Sequence, residues 1–313
     1  MRVALALGSG GARGYAHIGV IAELHDRGYD IVGVSGSSMG ALVGGLHAAG
    51  KLDDFADWAR ALTQRAVLRL LDPSISAAGI FRAEKLLDAV RDILGEAAIE
   101  QLPIPYTAVA TDLMAGKSVW LQHGPLDAAI RASIAIPGLI APHVLGDRLL
   151  ADGGILDPLP MAPISAVSAD LTIAVSLSGG DPGNIATTIA EDPRPTPEWL
   201  TRMMRSTSAV LDRPTARAVL SRFGAAIPPD ESDEPEAPAA PDDPVVPRLG
   251  SFEVMNRTID IAQSALARHT LAAYPPDLLI EVPRTACRSL EFHRATEMIA
   301  VGRELTARAL DES

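Results

Sequence analysis

Twice within the first fifty residues, a short apolar run stops near glycine and gives way to a segment with helical periodicity. Val3-Ala4-Leu5-Ala6-Leu7 runs into Gly8-Ser9-Gly10-Gly11, and Ile31-Val32-Gly33-Val34 leads into Gly36-Ser37-Ser38-Met39-Gly40. Apolar runs of this length suit strands buried on both faces, the condition met in a parallel sheet covered by helices. After the first run, Ile18, Ile21 and Leu24 recur at helical spacing, and Gly28 stands where a C-terminal cap belongs. After the second, a helix is expected over about 39–49 and closed by Gly50, with Gly40, Ala41, Gly44 and Gly45 small enough to bring its backbone against the sheet. The chain thus starts as β-α-β, and the expectation is an α/β fold with a central, mostly parallel sheet.

Further along, 83–94 reads as a helix, 106–112 and 117–121 as strands about the turn Ala115-Gly116, and 171–177 as another strand. Helices over 251–273 and 292–310 flank a strand at 278–282, so the chain returns to its core late. At 313 residues and 48% hydrophobic, it can bury one large core, and a single domain over 1–313 is expected. Residues 227–248 carry seven prolines and seven acids, which neither continue a helix nor bury apolar area, so a disordered loop is expected there. Trp199, Leu200, Met203 and Met204 form an apolar stripe at helical spacing, fit for the core or for a lid.

Removing those seven acids from the net charge of −12 leaves −5, an ordinary value with no basic footprint for nucleic acid. The single cysteine, Cys287, excludes an intrachain disulfide framework and suits the cytoplasm. The N-terminal apolar run is too short for a signal peptide, and no run reaches the roughly 18 apolar residues of a membrane span, so any membrane contact is expected to be peripheral, at the inner face.

Chemistry concentrates at three places. Gly36-Ser37-Ser38-Met39-Gly40 lies between an apolar strand and an apolar helix, the context of a nucleophile elbow. Side chains two residues either side of the nucleophile would collide in that turn. Ser38, flanked by Gly36 and Gly40, passes this test, whereas Ser37, flanked by Ser35 and Met39, does not. Second, Gly8-Ser9-Gly10-Gly11-Ala12-Arg13-Gly14 leads from strand to helix and can aim successive N–H groups at an oxyanion, each such donor contributing on the order of 3 kcal/mol. A dinucleotide loop is the rival reading, but Arg13 stands where its last glycine belongs. Third, Asp152-Gly153-Gly154 follows Leu149-Leu150-Ala151, placing a carboxylate at a strand end, where such sites assemble and where ordinary turns also occur. None of the seven histidines sits in a comparable setting.

Together these motifs resemble the patatin-like phospholipase family, particularly its bacterial members and neuropathy-target-esterase-like lysophospholipases. The resemblance rests on Gly-Gly-Ala-Arg-Gly-Tyr-Ala-His-Ile-Gly-Val at 10–20, the serine elbow, Arg-Ala-Ser-Ile-Ala-Ile-Pro-Gly at 131–138 and Asp-Gly-Gly-Ile-Leu-Asp-Pro-Leu-Pro from Asp152, and covers about residues 1–180. Where the family's glycine motif begins with Gly, this chain has Ser9. The resemblance implies a three-layer α/β/α fold and a Ser-Asp dyad without histidine, metal or cofactor. Ser38 would attack a lipid ester, Asp152 would accept its proton, and Gly10, Gly11, Ala12 and Arg13 would form the oxyanion hole or bind substrate. Arg13 is equally suited to an anionic headgroup or a structural ion pair, and Ser133 and Pro137 to an acyl pocket or a rigid loop. Two other readings remain: an acyltransferase with the same nucleophile, although Ser37 stands where malonyl-transferring enzymes normally carry histidine, and an adaptor that recruits a protein partner through its acidic loop.

Overall fold

The computed structural model describes residues 1–70, 84–137, 139–180 and 251–312. The acidic 227–248 segment and the stripe from Trp199 to Met204 lie outside the described residues. Eight strands form one sheet: β1 (Arg2–Leu7), β2 (Asp30–Ser37), β3 (Tyr106–Asp112), β4 (Lys117–Leu121), β5 (His143–Leu145), β6 (Arg148–Asp152), β7 (Leu171–Gly179) and β8 (Leu278–Pro283). Their order is β5-β6-β3-β2-β1-β7-β8, with β4 on β3 off this path. The run from β3 to β8 is parallel throughout, and β4, β5 and β6 add an antiparallel margin.

The helices among the described residues are α1 (Ala16–Asp26), α2 (Met39–Ala48), α3 (Leu52–Arg60), α4 (Gln64–Leu70), α5 (Glu84–Leu94), α6 (Leu126–Ser133), α7 (Ser251–Ala273) and α8 (Ala295–Asp311). Alternation along β1 divides the core between two faces. Val3, Leu5 and Leu7 join the large cluster containing residues of α1, α2 and α8, whereas Ala4 and Ala6 join a second cluster with Leu159, Met161 and Ala267 of α7. The result is a mixed, mostly parallel sheet with helices on both sides. Each fully buried leucine or isoleucine contributes roughly 1.5–3 kcal/mol. No helix among the described residues is long and apolar enough to cross a membrane.

Two features of this architecture position the site. Gly19 of α1 and Gly302 of α8 face each other's helix so closely that a Cβ on Gly19 would overlap the Ile299 carbonyl and one on Gly302 the Ala16 carbonyl. Backbone-to-backbone packing ties the end of the chain to the helix that follows the glycine loop. The second feature is a change of neighbour along β3. Ala108 and Val109 pair with both β2 and β4, so these two strands lie on opposite edges of β3; Ala110 to Asp112 pair with both β4 and β6. β6 therefore takes over the edge that β2 leaves at Ser37. Because β6 runs antiparallel, its last residue, Asp152, lies opposite Ala110, one step beyond the pairing of Ser37 with Val109.

Candidate active site

Ser38 follows the last residue of β2 and is the N-cap of α2, with φ 56° and ψ −122°. It is the one non-glycine residue with positive φ among the described residues, a conformation costing on the order of 1–3 kcal/mol that its surroundings must hold. Gly36 and Gly40 permit it: a Cβ on Gly36 would overlap Gly40, and a Cβ on Gly40 would overlap the Leu7 carbonyl. The Ser38 N–H donates to Ser133 Oγ at 2.9 Å, and Ser133 Oγ donates in turn to the Val109 carbonyl at 2.6 Å. Ser133 is fully buried at the end of α6 and acts as a strut for the elbow rather than a wall of a pocket.

The Ser38 hydroxyl donates to Asp152 Oδ2 at 2.5 Å, and the carboxylate's other oxygen accepts the Gly154 N–H at 2.7 Å. Asp152 is fixed through its backbone as well, its N–H donating to the Ala135 carbonyl and its own carbonyl accepting from Thr111 Oγ1, both at 2.9 Å. Only 3% of Asp152 is exposed. Burial pushes its carboxyl up to about 6, while the bonds from Ser38 and Gly154 hold it down against that pressure. Near neutral pH it is ionised, yet far more basic than an exposed carboxylate. The partner of Ser38 Oγ is therefore a carboxylate and not an imidazole.

Ser38 opens onto an apolar cleft with about 660 Å³ of empty space, counting the part open to solvent. Its walls include Phe55 and Trp58 of α3, stacked at 5.6 Å, Leu86 of α5, and Ile136 and Leu139 from the segment after α6. Gly11 lines the same cleft, with φ 58°. A family model, patatin-like phospholipase, matches residues 5–164. The chain belongs to the patatin-like phospholipase family. An uncharacterized NTE family protein of Mycobacterium tuberculosis is 71% identical over 332 aligned positions, covering 99% of this chain and 91% of the relative. Patatin-like phospholipase domain-containing protein 6 of Mus musculus is 31% identical over 193 positions, 59% of this chain but 14% of the mouse protein. Among solved structures, VipD from Legionella pneumophila aligns with a TM-score of 0.43 at 17% identity, over 99% of this chain and 66% of that one, a likeness too distant to inform the chemistry.

Within this patatin-like site, the four glycine-loop candidates are used differently. The amides of Gly10 and Gly11 have no backbone acceptor among the described residues, but the Ala12 N–H donates to the Ser289 carbonyl at 2.9 Å. The Arg13 guanidinium donates to the Cys287 carbonyl at 3.2 Å and lies 3.8 Å from Asp260, and Arg13 is not among the residues of Ser38's cleft. His17 is buried and donates through Nε2 to the Gly8 carbonyl at 2.8 Å; burial lowers its pKa to about 4, so it is a neutral brace for the loop. The sequence offers Ser133 only as a pocket or loop residue and 83–94 only as a helix; the strut role of the one and the cleft walls on α3 and α5 escape sequence reasoning because each depends on contacts across long stretches of chain.

Proposed function

We propose that this protein hydrolyses lipid esters, phospholipid or lysophospholipid, through Ser38 as nucleophile and Asp152 as general base. Lipid ester hydrolysis is the activity to which family membership points. The observation that carries the finer reading is the 2.5 Å bond from Ser38 Oγ to Asp152 Oδ2 at the mouth of an apolar cleft. With the acyl chain in that cleft, the ester carbonyl reaches Ser38, and Asp152 takes the hydroxyl proton as the Oγ–carbon bond forms. Negative charge gathers on the carbonyl oxygen, where the Gly10 and Gly11 amides and the N-terminal end of α2 stabilise it. Collapse releases the alcohol or lysolipid, protonated from Asp152, and leaves an acyl group on Ser38. Water attack with Asp152 again as base completes the cycle. The reading places the enzyme in the cytoplasm, meeting its lipid through peripheral contact with the membrane.

The test is covalent labelling by a fluorophosphonate together with a panel of phosphatidylcholine, lysophosphatidylcholine and p-nitrophenyl esters. The wild type is expected to carry the label on Ser38 and to turn over at least one lipid. Ser38→Ala is expected to do neither, and retained labelling or turnover in that variant would sink the assignment.

A further inference from the structure

Deacylation needs a water at the acyl-enzyme while the acyl chain fills the apolar cleft. Apart from Ser38, that cleft presents almost no polar side chain to guide one. A second pocket shares none of its lining residues with the cleft, and it is more polar: Ser9, Ser176, Ser178 and Gln263 line it with Arg13, Arg284 and Asp260, beside Leu159 and Leu177. Its interior has room for a water-sized molecule, and a cavity of that kind with several hydrogen-bonding partners is what an ordered water requires.

Two of its lining residues, Ser9 and Gln263, reach Gly154, which donates its N–H to Asp152. A Cβ at that position would sit 2.5 Å from Ser9 Oγ, 2.6 Å from Gln263 Nε2 and 2.9 Å from Asp152 Oδ1, so only glycine lets these three polar groups converge so closely. The side chains of Ser9 and Gln263 make no hydrogen bond among the described residues, and the buried Nε of Arg13 also lacks a partner there. Ser9 and Gln263 are half-buried, so each has a donor and an acceptor open to water beside Gly154, while the Arg13 Nε is buried without a partner. Such groups are well explained by a bound water.

We propose that this pocket is the water path of the enzyme, with Ser9 and Gln263 holding a water beside Asp152 and supplying the molecule that hydrolyses the acyl-enzyme. This inference rests on the Ser38-Asp152 reading given above. In the step itself, the water oxygen bonds to the acyl carbon, one water proton passes to the Asp152 carboxylate, and the carbonyl electron pair moves to its oxygen. On collapse, the bond from Ser38 Oγ to carbon breaks, and Oγ takes the proton from Asp152. Ser38 is restored and a carboxylic acid leaves. Ser9, where the family has glycine, thus supplies a hydroxyl at the point where the path meets the dyad.

A single-turnover experiment with p-nitrophenyl butyrate and excess enzyme separates the two half-reactions. Release of p-nitrophenolate reports acylation, and the mass of the butyryl adduct on Ser38 in quenched samples reports its hydrolysis. Ser9→Ala and Gln263→Leu are expected to leave acylation within about twofold of wild type and to lengthen the adduct's lifetime roughly five- to tenfold, more in the double variant. Ser9→Ala removes one oxygen and keeps the test open if Gln263→Leu does not fold. An unchanged lifetime, or equal slowing of both phases, overturns the water path. Absence of any adduct on Ser38 in the wild type would instead overturn the underlying dyad.

Discussion

At the scale of single residues, the site depends on holding Ser38 in a backbone conformation that costs on the order of 1–3 kcal/mol. Glycine at 36 and 40 removes the steric obstacle, and Ser133 removes an electrostatic one by accepting the Ser38 N–H. Ser133→Ala leaves that buried donor unpaired and is expected to cost about 1–3 kcal/mol in urea denaturation and to lower kcat with little change in KM. Gly40→Ala drives a methyl into the Leu7 carbonyl, and circular dichroism is expected to show failure to fold. The chemistry should also carry the signature of Asp152. With its carboxyl at about 6, the form that serves as the proposed base is the deprotonated one, so kcat/KM is expected to rise with pH through about 6 and level off above it. Asp152→Asn should abolish that rise and lower kcat on the order of 10³- to 10⁴-fold. The elbow was legible in the sequence because its requirement is local: two glycines spaced around a serine. Ser133 stood out only as a pocket or loop residue, and its role as a strut was not legible, since its partners Ser38 and Val109 are brought to it only by folding.

Elements differ in how far their surroundings can be read from their own residues. The first two strands and α2 were legible because continuous apolar runs ending near glycine mark them directly. β2 nevertheless extends to Ser37, well beyond the apolar stretch at 31–34, because Ser35 and Ser37 are fully buried and Ser35 Oγ donates to the Pro160 carbonyl. The helix expected over 292–310 begins as a 3-10 turn at Phe292–Arg294 before α8 proper. Short elements with weak patterns, β5 and α6 among them, were not separated in the sequence. α3 is a further case, although its physics is plain once seen: Asp53 and Asp54 sit in its first turn, where they favour the helix dipole, while Phe55, Ala56 and Ala59 turn inward. The contact of α1 with α8 belongs to this scale. Gly302→Ala places a methyl on the Ala16 carbonyl and is expected to destabilise by roughly 1–3 kcal/mol, with faster amide exchange in both α1 and α8 as the readout. Faster exchange in α8 alone would contradict the mutual packing.

Over the whole molecule, buried titratable groups pull stability in opposite directions with pH. His17 and His47, each lowered to about 4 chiefly by burial, remain neutral in the folded chain while the unfolded chain binds protons below about 6.5. Their contribution is therefore lost as pH falls from 6.5 towards 4. Asp152, raised to about 6 by burial, acts the other way: the folded chain holds its proton longer, so stability declines as pH rises from the unfolded value near 3.8 through 6. Asp152→Asn removes that penalty. The inactive variant is expected to be more stable than wild type at pH 8, by on the order of 3 kcal/mol, and close to wild type near pH 4, measured by denaturant midpoints at each pH. Equal stability at pH 8 would show that the carboxylate is not strained by its burial. The sequence alone marked an α/β chain, a strained serine turn, a glycine loop and an aspartate at a strand end, because glycine spacing and apolar periodicity express constraints that act within a few residues. Only the tertiary structure decided that Asp152 meets Ser38, that Ala12 and Arg13 turn to Ser289, Cys287 and Asp260, and that Ser9 and Gln263 converge at Gly154. Those meetings follow from β6 inheriting the edge of β3 that β2 vacates and from α7 closing over the opposite face of the sheet, pairings between distant stretches that no local pattern encodes.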